Sequence, residues 1–302
     1  MRLAVTLVSP ASAPDASSRI VSGGLKEKAA RQIGKLPPFT PILSKLLATL
    51  ADEDVSFAEV GGLIEKDTVL AGNVLRMVNS ALYGRRGTVN SVRHAVSLLG
   101  LSKVRNAAFS ISLAQMYSRL SVHRQWVHSQ FNMRGVAEAL LADQLAQKLN
   151  LEYPEGAFAS GLLHHLGLLL AAMALPAEFE TMHAQYLQGT RSLTDCERSA
   201  WGFAHQELTA EILKEWNLPA PIQRGVRTDL ALHSGDGKAS LAHALLSAAE
   251  MAERLAIPLQ PWMRPSAGLP AAVLAEIGLD QNAERLLKSF HEEFDAIRAF
   301  FH

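Results

Sequence analysis

Four of the chain's eleven histidines sit where imidazole chemistry could be assembled: His128 in a long helical pattern, the adjacent pair His164-His165 inside the most apolar stretch, and His205 further on. Imidazole moves protons near neutral pH and ligates metals. Two neighbouring histidines in an apolar segment are costly unless they are hydrogen-bonded or hold an ion. Helices from distant parts of a bundle can converge such side chains on one point. None of the four lies in a local metal-binding spacing, so bonds to backbone carbonyls or helix caps explain them equally well. The single cysteine, Cys196, excludes an internal disulfide and fits a reducing compartment. Its acidic flanks, Asp195 and Glu197, disfavour a thiolate, so it is not a candidate nucleophile.

The elements that would carry these side chains read as helices almost throughout. Thr40 caps a first helix with Pro41 in its opening turn and Ile42, Leu43, Leu46 and Leu47 on its face. Ser56 and Glu59 have capping-box spacing. Asp67 caps a helix through Val69, Leu70, Val74, Leu75 and Val78; Gly84-Arg85-Arg86-Gly87 turns the chain; Ser91 caps a helix closed by Gly100. Asn79-Ser80 ends the first of these, and its residue types favour caps and turns, so it is expected to fix how the two helices meet. Ser102 is expected to cap the next helix. A longer one is expected over 123–149, broken by Tyr153-Pro154-Glu155-Gly156. Residues 157–175 are apolar nearly all round, as in one helix buried at a domain centre. Thr194 to Glu197 reads as a second capping box, His205 to Trp216 as a helix, and Asp280 to Phe301 as a C-terminal helix with a Leu/Phe stripe.

The chain has 302 residues, 48% of them hydrophobic, and a formal charge of zero. That is enough for a sizeable core, and it removes any global attraction to nucleic acid or acidic lipid. The short apolar run Leu3–Val8 is too brief for a secretory signal core, and the Pro/Ser/Ala-rich residues after it suit a flexible tail, taken here as 1–30. No stretch has about eighteen uninterrupted apolar residues. A cytoplasmic protein is expected.

Several separated motifs then resemble one family, the bacterial HDOD domain (HD-related output domain). They are Leu36-Pro37-Pro38, Glu65-x-Asp67, Val78-Asn79-Ser80-Ala81 with Tyr83-Gly84, Leu98-Leu99-Gly100, Trp126-x-His128-Ser129, Gly161-Leu162-Leu163-His164-x-x-Gly167, and His205-Gln206-Glu207 with Trp216-x-Leu218-Pro219. The resemblance covers roughly residues 34–256. It implies an all-α fold in which an N-terminal helical bundle (31–120) packs on a helical part similar to HD phosphohydrolases (121–302). Asn79, Ser80, Tyr83 and Gly84 would then form a family structural motif.

The resemblance also permits a comparison with the HD metal site, in which a His, a His-Asp pair and a distal Asp hold divalent metal. His128 matches the first His and His164 the His of the pair. His165 stands where the Asp would be, Glu250 takes the distal position, and Thr228-Asp229 stands where related two-metal members carry a His-His pair. His205 could match a further histidine. A neutral imidazole cannot bridge or neutralise metal ions as a carboxylate does, so a hard Mg²⁺ or Mn²⁺ centre is not expected. His128, His164, His165 and Glu250 could still make a three-His, one-carboxylate Zn²⁺ or Ni²⁺ site, with His128, His164 and Glu250 as the residual ligands. Neighbours on a continuous helix point about 100° apart, which argues against both members of the pair facing one ion.

The expectation is therefore a remnant site made of His128, His164, His165, His205 and Glu250, with no catalytic residue and no cofactor. Regulation would be exercised on signalling proteins bound in trans, through the basic set Arg85, Arg86, Lys103 and Arg105 or the groove between the two parts. A metal-dependent phosphohydrolase of nucleotides or cyclic dinucleotides, and a non-hydrolysing sensor of a small nucleotide, are the alternatives. Homodimerisation is left open by the Phe-rich C-terminal helix. Membrane and nucleic-acid partners are not expected.

Overall fold

The computed structural model describes residues 24–37, 39–48, 56–79, 89–228 and 239–298. Along them run α1 (24–30), α2 (Pro41–Ala48), α3 (Phe57–Glu65), α4 (Thr68–Val78), α5 (Val92–Leu99), α6 (Leu101–Tyr117), α7 (His128–Ala146), α8 (Ala157–Leu163), α9 (Leu166–Ala174), α10 (Pro176–Leu187), α11 (Leu193–Trp201), α12 (His205–Glu215), α13 (Ala220–Gly225), α14 (Leu241–Arg254), α15 (Pro270–Glu276) and α16 (Ala283–Arg298). Among the described residues the only β pairing is an isolated bridge, Leu151 to Ala239. The all-α expectation holds.

Helix starts follow local chemistry. Ser56 and Glu59 form the expected capping box, Asp67 accepts from the Val69 and Leu70 amides, and Ser91 accepts from His94. Two expected caps are displaced. Ser102 lies inside α6, which starts after Gly100 at φ +89°, a conformation glycine adopts without a Cβ penalty. Ser192, not Thr194, caps α11 through the Asp195 amide, and this frees Glu197 for the interior. Residues 24–30, expected as part of a flexible tail, are helical: Ala29 is buried, and Lys26 reaches Glu207 and Glu211 on α12 at 3.2 and 2.9 Å.

Helices α2 to α6 pack on one another, and α6 meets α7. Asn79 has the joining role read from the sequence. Its amide donates to the Leu75 and Val89 carbonyls (2.9 and 2.8 Å) and its carbonyl accepts from the Val89 amide at 2.8 Å, which ties the end of α4 to the approach of α5. Asn79→Ala strands the amide and carbonyl of buried Val89, so a loss of about 1–3 kcal/mol in urea unfolding is expected; an effect near zero would remove this clamp. Ser80, Tyr83, Gly84, Arg85 and Arg86 lie outside the described residues.

The second group is built around α7, which packs on α8, α14 and α16, while α9 packs on α12. Two glycines set the closest approaches. A Cβ on Gly161 would lie 2.7 Å from Ala139 backbone, and one on Gly167 would lie 2.0 Å from the His205 carbonyl oxygen. Only the absence of a side chain lets α8 and α9 reach α7 and α12 this closely. The apolar stretch through Ala174 is long and apolar enough to span a bilayer, yet 89% of it is buried inside the fold. It is not one helix. The chain breaks at His164-His165, leaving α8 and α9 as separate pieces.

Candidate functional site: a buried carboxylate–histidine network

That break decides the geometry. The expectation that the two imidazoles diverge assumed a continuous helix. Across the turn, His165 leaves helical geometry (φ −102°, ψ 16°) and both rings reach the same carboxylate, that of Glu138. His164 Nδ1 lies 2.9 Å from Glu138 Oε2, and His165 Nε2 lies 2.9 Å from Oε1. Glu138 is fully buried on α7. One turn earlier, Arg134 pairs with it through Nε, while its other nitrogens donate to the carbonyls of Ile257 (2.7 Å) and Ala249 (2.8 Å).

The network continues beyond the pair. His165 Nδ1 lies 2.9 Å from His205 Nε2, and His205 Nδ1 lies 2.7 Å from Glu197 Oε1; the His205 amide donates to the other Glu197 oxygen. His164 Nε2 meets the Thr228 hydroxyl at 3.0 Å. The Thr209 hydroxyl accepts from the Gly167 amide and lies 3.0 and 3.1 Å from the His164 and His205 carbonyls. Side chains from α7, the α8–α9 turn, α11, α12 and the segment after α13 thus meet in one interior cluster.

Of the residues proposed from the sequence, His164, His165 and His205 come together. His128 does not. It opens α7 ten residues before Glu138, about 15 Å along the axis, and hydrogen-bonds the Tyr117 backbone. Glu250 pairs instead with Arg254, one turn along α14, and is partly exposed. That helix contributes the Ala249 carbonyl, not a carboxylate. The proposed ligand set His128, His164 and Glu250 is therefore not assembled. Lys103 and Arg105 turn to their own chain: Lys103 pairs with Glu293 of α16 at 3.1 Å, and Arg105 is half-buried near Asp143.

Burial alone would raise the Glu138 carboxyl. Its interactions with His165 and the Arg134 guanidinium, and the bonds from both imidazoles, instead hold it well below the usual carboxylate range. Burial pushes His165 down to about 3 against the pull of Glu138, so this ring is neutral at pH 7. Glu138, His165, His205 and Glu197 thus make three contacts in series with a carboxylate at each end.

His165 also gives a pH dependence. Unfolded, it takes up a proton near 6.5; folded, it does not until about 3. The unfolded state binds more protons in between, so stability falls as pH drops from about 6.5 towards 3, by up to about 1.4 kcal/mol per pH unit. Below about 4.5, Glu138 adds to this with the same sign. Urea midpoints from pH 4 to 7 should show a shallower slope in His165→Asn; an unchanged slope would place the titration elsewhere.

The chain itself matches a known family. The HDOD domain profile matches residues 36–231, and the chain belongs to that family. Among curated proteins, an uncharacterized protein of Treponema pallidum (strain Nichols) is 24% identical over 202 residues, 66% of this chain; the match spans only 38% of that protein's length. An HDOD domain protein of unknown function from Geobacter sulfurreducens has a similar structure, with TM-score 0.74 and 19% identity over 92% of this chain and 97% of its own. A protein of Shewanella amazonensis SB2B, named provisionally as a phosphohydrolase, matches with TM-score 0.70 and 22% identity over 91% and 98%. At these identities the structural likeness establishes the HD-related helical fold alone.

Glu138, Arg134 and Glu197 were missed in the sequence. Arg134 and Glu138 had a usable signal, an i, i+4 ion pair set in the apolar run Val136–Ala142. Glu197 had none, because the same letters satisfy a capping box.

Proposed function

We propose that this HDOD protein is a non-catalytic signal-transduction protein that acts by binding partner proteins, and that its interior network is a structural replacement for a hydrolytic centre. One observation carries the reading: the Arg134 guanidinium is fixed on the carboxylate that both histidines share. Donor atoms of Glu138, His164 and His165 lie within 4.8 Å of one another, so three ligands for one ion are present in principle. A divalent ion there would sit beside a permanent cation that cannot be deprotonated. The further carboxylates are turned to other partners, Glu253 to Arg134 at 3.5 Å and Glu197 to His205 at 2.7 Å. The set does not fit a hard-metal hydrolytic site.

What the network supplies is a fully paired polar interior that locks α7, α9, α11 and α12 together. Partner binding then has to use the surface. The test is twofold. The purified chain, supplied with Mg²⁺ or Mn²⁺, should not turn over a generic phosphodiester or a cyclic dinucleotide above a His164→Ala control. Cross-linking in native lysate should capture the same partner repeatedly. Metal-dependent turnover lost in His164→Ala would replace this reading with the hydrolase.

A further inference from the structure

The interior network reaches the surface through Arg134. Its Nε edge bears on Glu138, which is 0% exposed, while Nη2 on the outer edge lies 3.5 Å from Oε1 of Glu253, a carboxylate of α14 whose side chain is 49% exposed. The guanidinium between them is 2% exposed. It also donates to the carbonyls of Ala249 and Ile257, four residues before and after Glu253. Arg134 therefore grips the C-terminal end of α14 from inside, where the helix dipole favours a cation. The turn after that helix is shaped to the grip. Ala256 takes φ +56°, a left-handed conformation that disfavours any residue with a Cβ, and the next residue presents its carbonyl to Arg134 at 2.7 Å.

One guanidinium thus serves two carboxylates, one sealed and one at the surface. Partial burial holds the Glu253 carboxyl above its ordinary range; Arg134 pulls it down, and Glu138 and Glu250 push it up. Glu250 has its own partner in Arg254. Glu138 and Glu253 compete for the same cation. Neutralising or withdrawing Glu253 leaves the whole guanidinium charge to the buried carboxylate, and the two imidazoles that share Glu138 sense the change.

We propose that Glu253 is a positioning residue through which the outer face of α14 controls the buried network, with Arg134 as the connecting part. Its trigger would be a lysine or arginine of a bound partner that takes over the Glu253 carboxylate. That trigger rests on the partner-binding reading above, whereas the coupling is a property of this chain alone.

The ¹H–¹⁵N imidazole spectrum of the full chain reads the coupling directly. Glu253→Gln removes the charge with little change of shape at a surface position, so the fold is expected to persist. In it the His164 and His165 signals should move, while those of His123 and His183, which contact Glu180 and Trp262 instead of Glu138, stay in place. Glu250→Gln removes a charge from the same helix that is paired with Arg254, and should leave His164 and His165 where they are. Arg134→Lys keeps the cation but loses the planar fork that spans both carboxylates. Adding Glu253→Gln to it should move the imidazoles less than Glu253→Gln does alone. Unmoved His164 and His165 signals in Glu253→Gln, equal shifts in Glu250→Gln, or a full-sized shift in the Arg134→Lys background would each overturn the coupling. None of these readings uses a partner or a substrate, so metal-dependent turnover lost in His164→Ala would strike the function proposed above and not this coupling.

Discussion

Arg134→Met is expected to cost about 3–5 kcal/mol in urea unfolding, the scale for breaking one partner out of a buried ion pair. The side chain is 2% exposed and Glu138 is 0% exposed, so water cannot replace the lost guanidinium. Methionine fills much of the volume but donates nothing to Glu138 or to the carbonyls of Ile257 and Ala249. The carboxylate would keep only the two imidazole contacts and would tend to take up a proton. The double variant Arg134→Met/Glu138→Leu should recover part of the loss, since an apolar replacement for both ions removes the stranded charge. Recovery should be incomplete, because His164 and His165 then lose their shared acceptor. A single-variant effect below about 1 kcal/mol would show that Arg134 does not hold the network.

Gly167→Ala should be nearly as damaging, for a steric reason. The added methyl would lie 2.0 Å from the His205 carbonyl oxygen and 2.6 Å from the Thr209 amide nitrogen, both backbone atoms of α12. No rotamer change relieves that contact; α9 and α12 must separate. Overpacking of this kind costs about 1–3 kcal/mol, and the upper end or beyond is expected here. The same movement would lengthen the Gly167–Thr209 bond and shift His205 away from His165. A distinct consequence follows: the imidazole ¹⁵N and ¹H signals of His165 and His205 should move in any folded Gly167→Ala protein. Full stability with unchanged imidazole signals would mean the two helices are not in contact as described.

The fold was legible because helical signals are local. Ser56, Asp67 and Ser91 announce helix starts with their own side chains, and Asn79 stands out because its type does not suit a helix interior. The expected cap at Thr194 failed because Ser192 satisfied the same rule two residues earlier, and that at Ser102 because α6 begins directly after Gly100 with no side-chain cap. The site was legible only in part. Composition and motif resemblance pointed to His164, His165 and His205, all of which lie in the network. Whether a helix breaks between two histidines is decided by what they bond to, and that partner, Glu138, lies on another helix. Periodicity carries no such information. His128 was drawn in by its residue type and by the HD comparison and Glu250 by the HD comparison alone, whereas in three dimensions an i, i+4 partner claims Glu250 and the length of α7 removes His128.

Arg134, Glu138, His165, His205 and Glu197 form one connected unit in the interior. The unit joins helices that are far apart in the chain, and a polar network with every member paired specifies one packing of those helices.

The most direct test is elemental analysis of the purified, tag-free protein followed by calorimetric titration with Mn²⁺ and Zn²⁺. The account predicts no metal at stoichiometric level and no saturable binding at the network, in the parent chain and in Glu138→Gln alike. One ion bound tightly per chain, and lost in both His164→Ala and Glu138→Gln, would contradict it and return the network to metal chemistry.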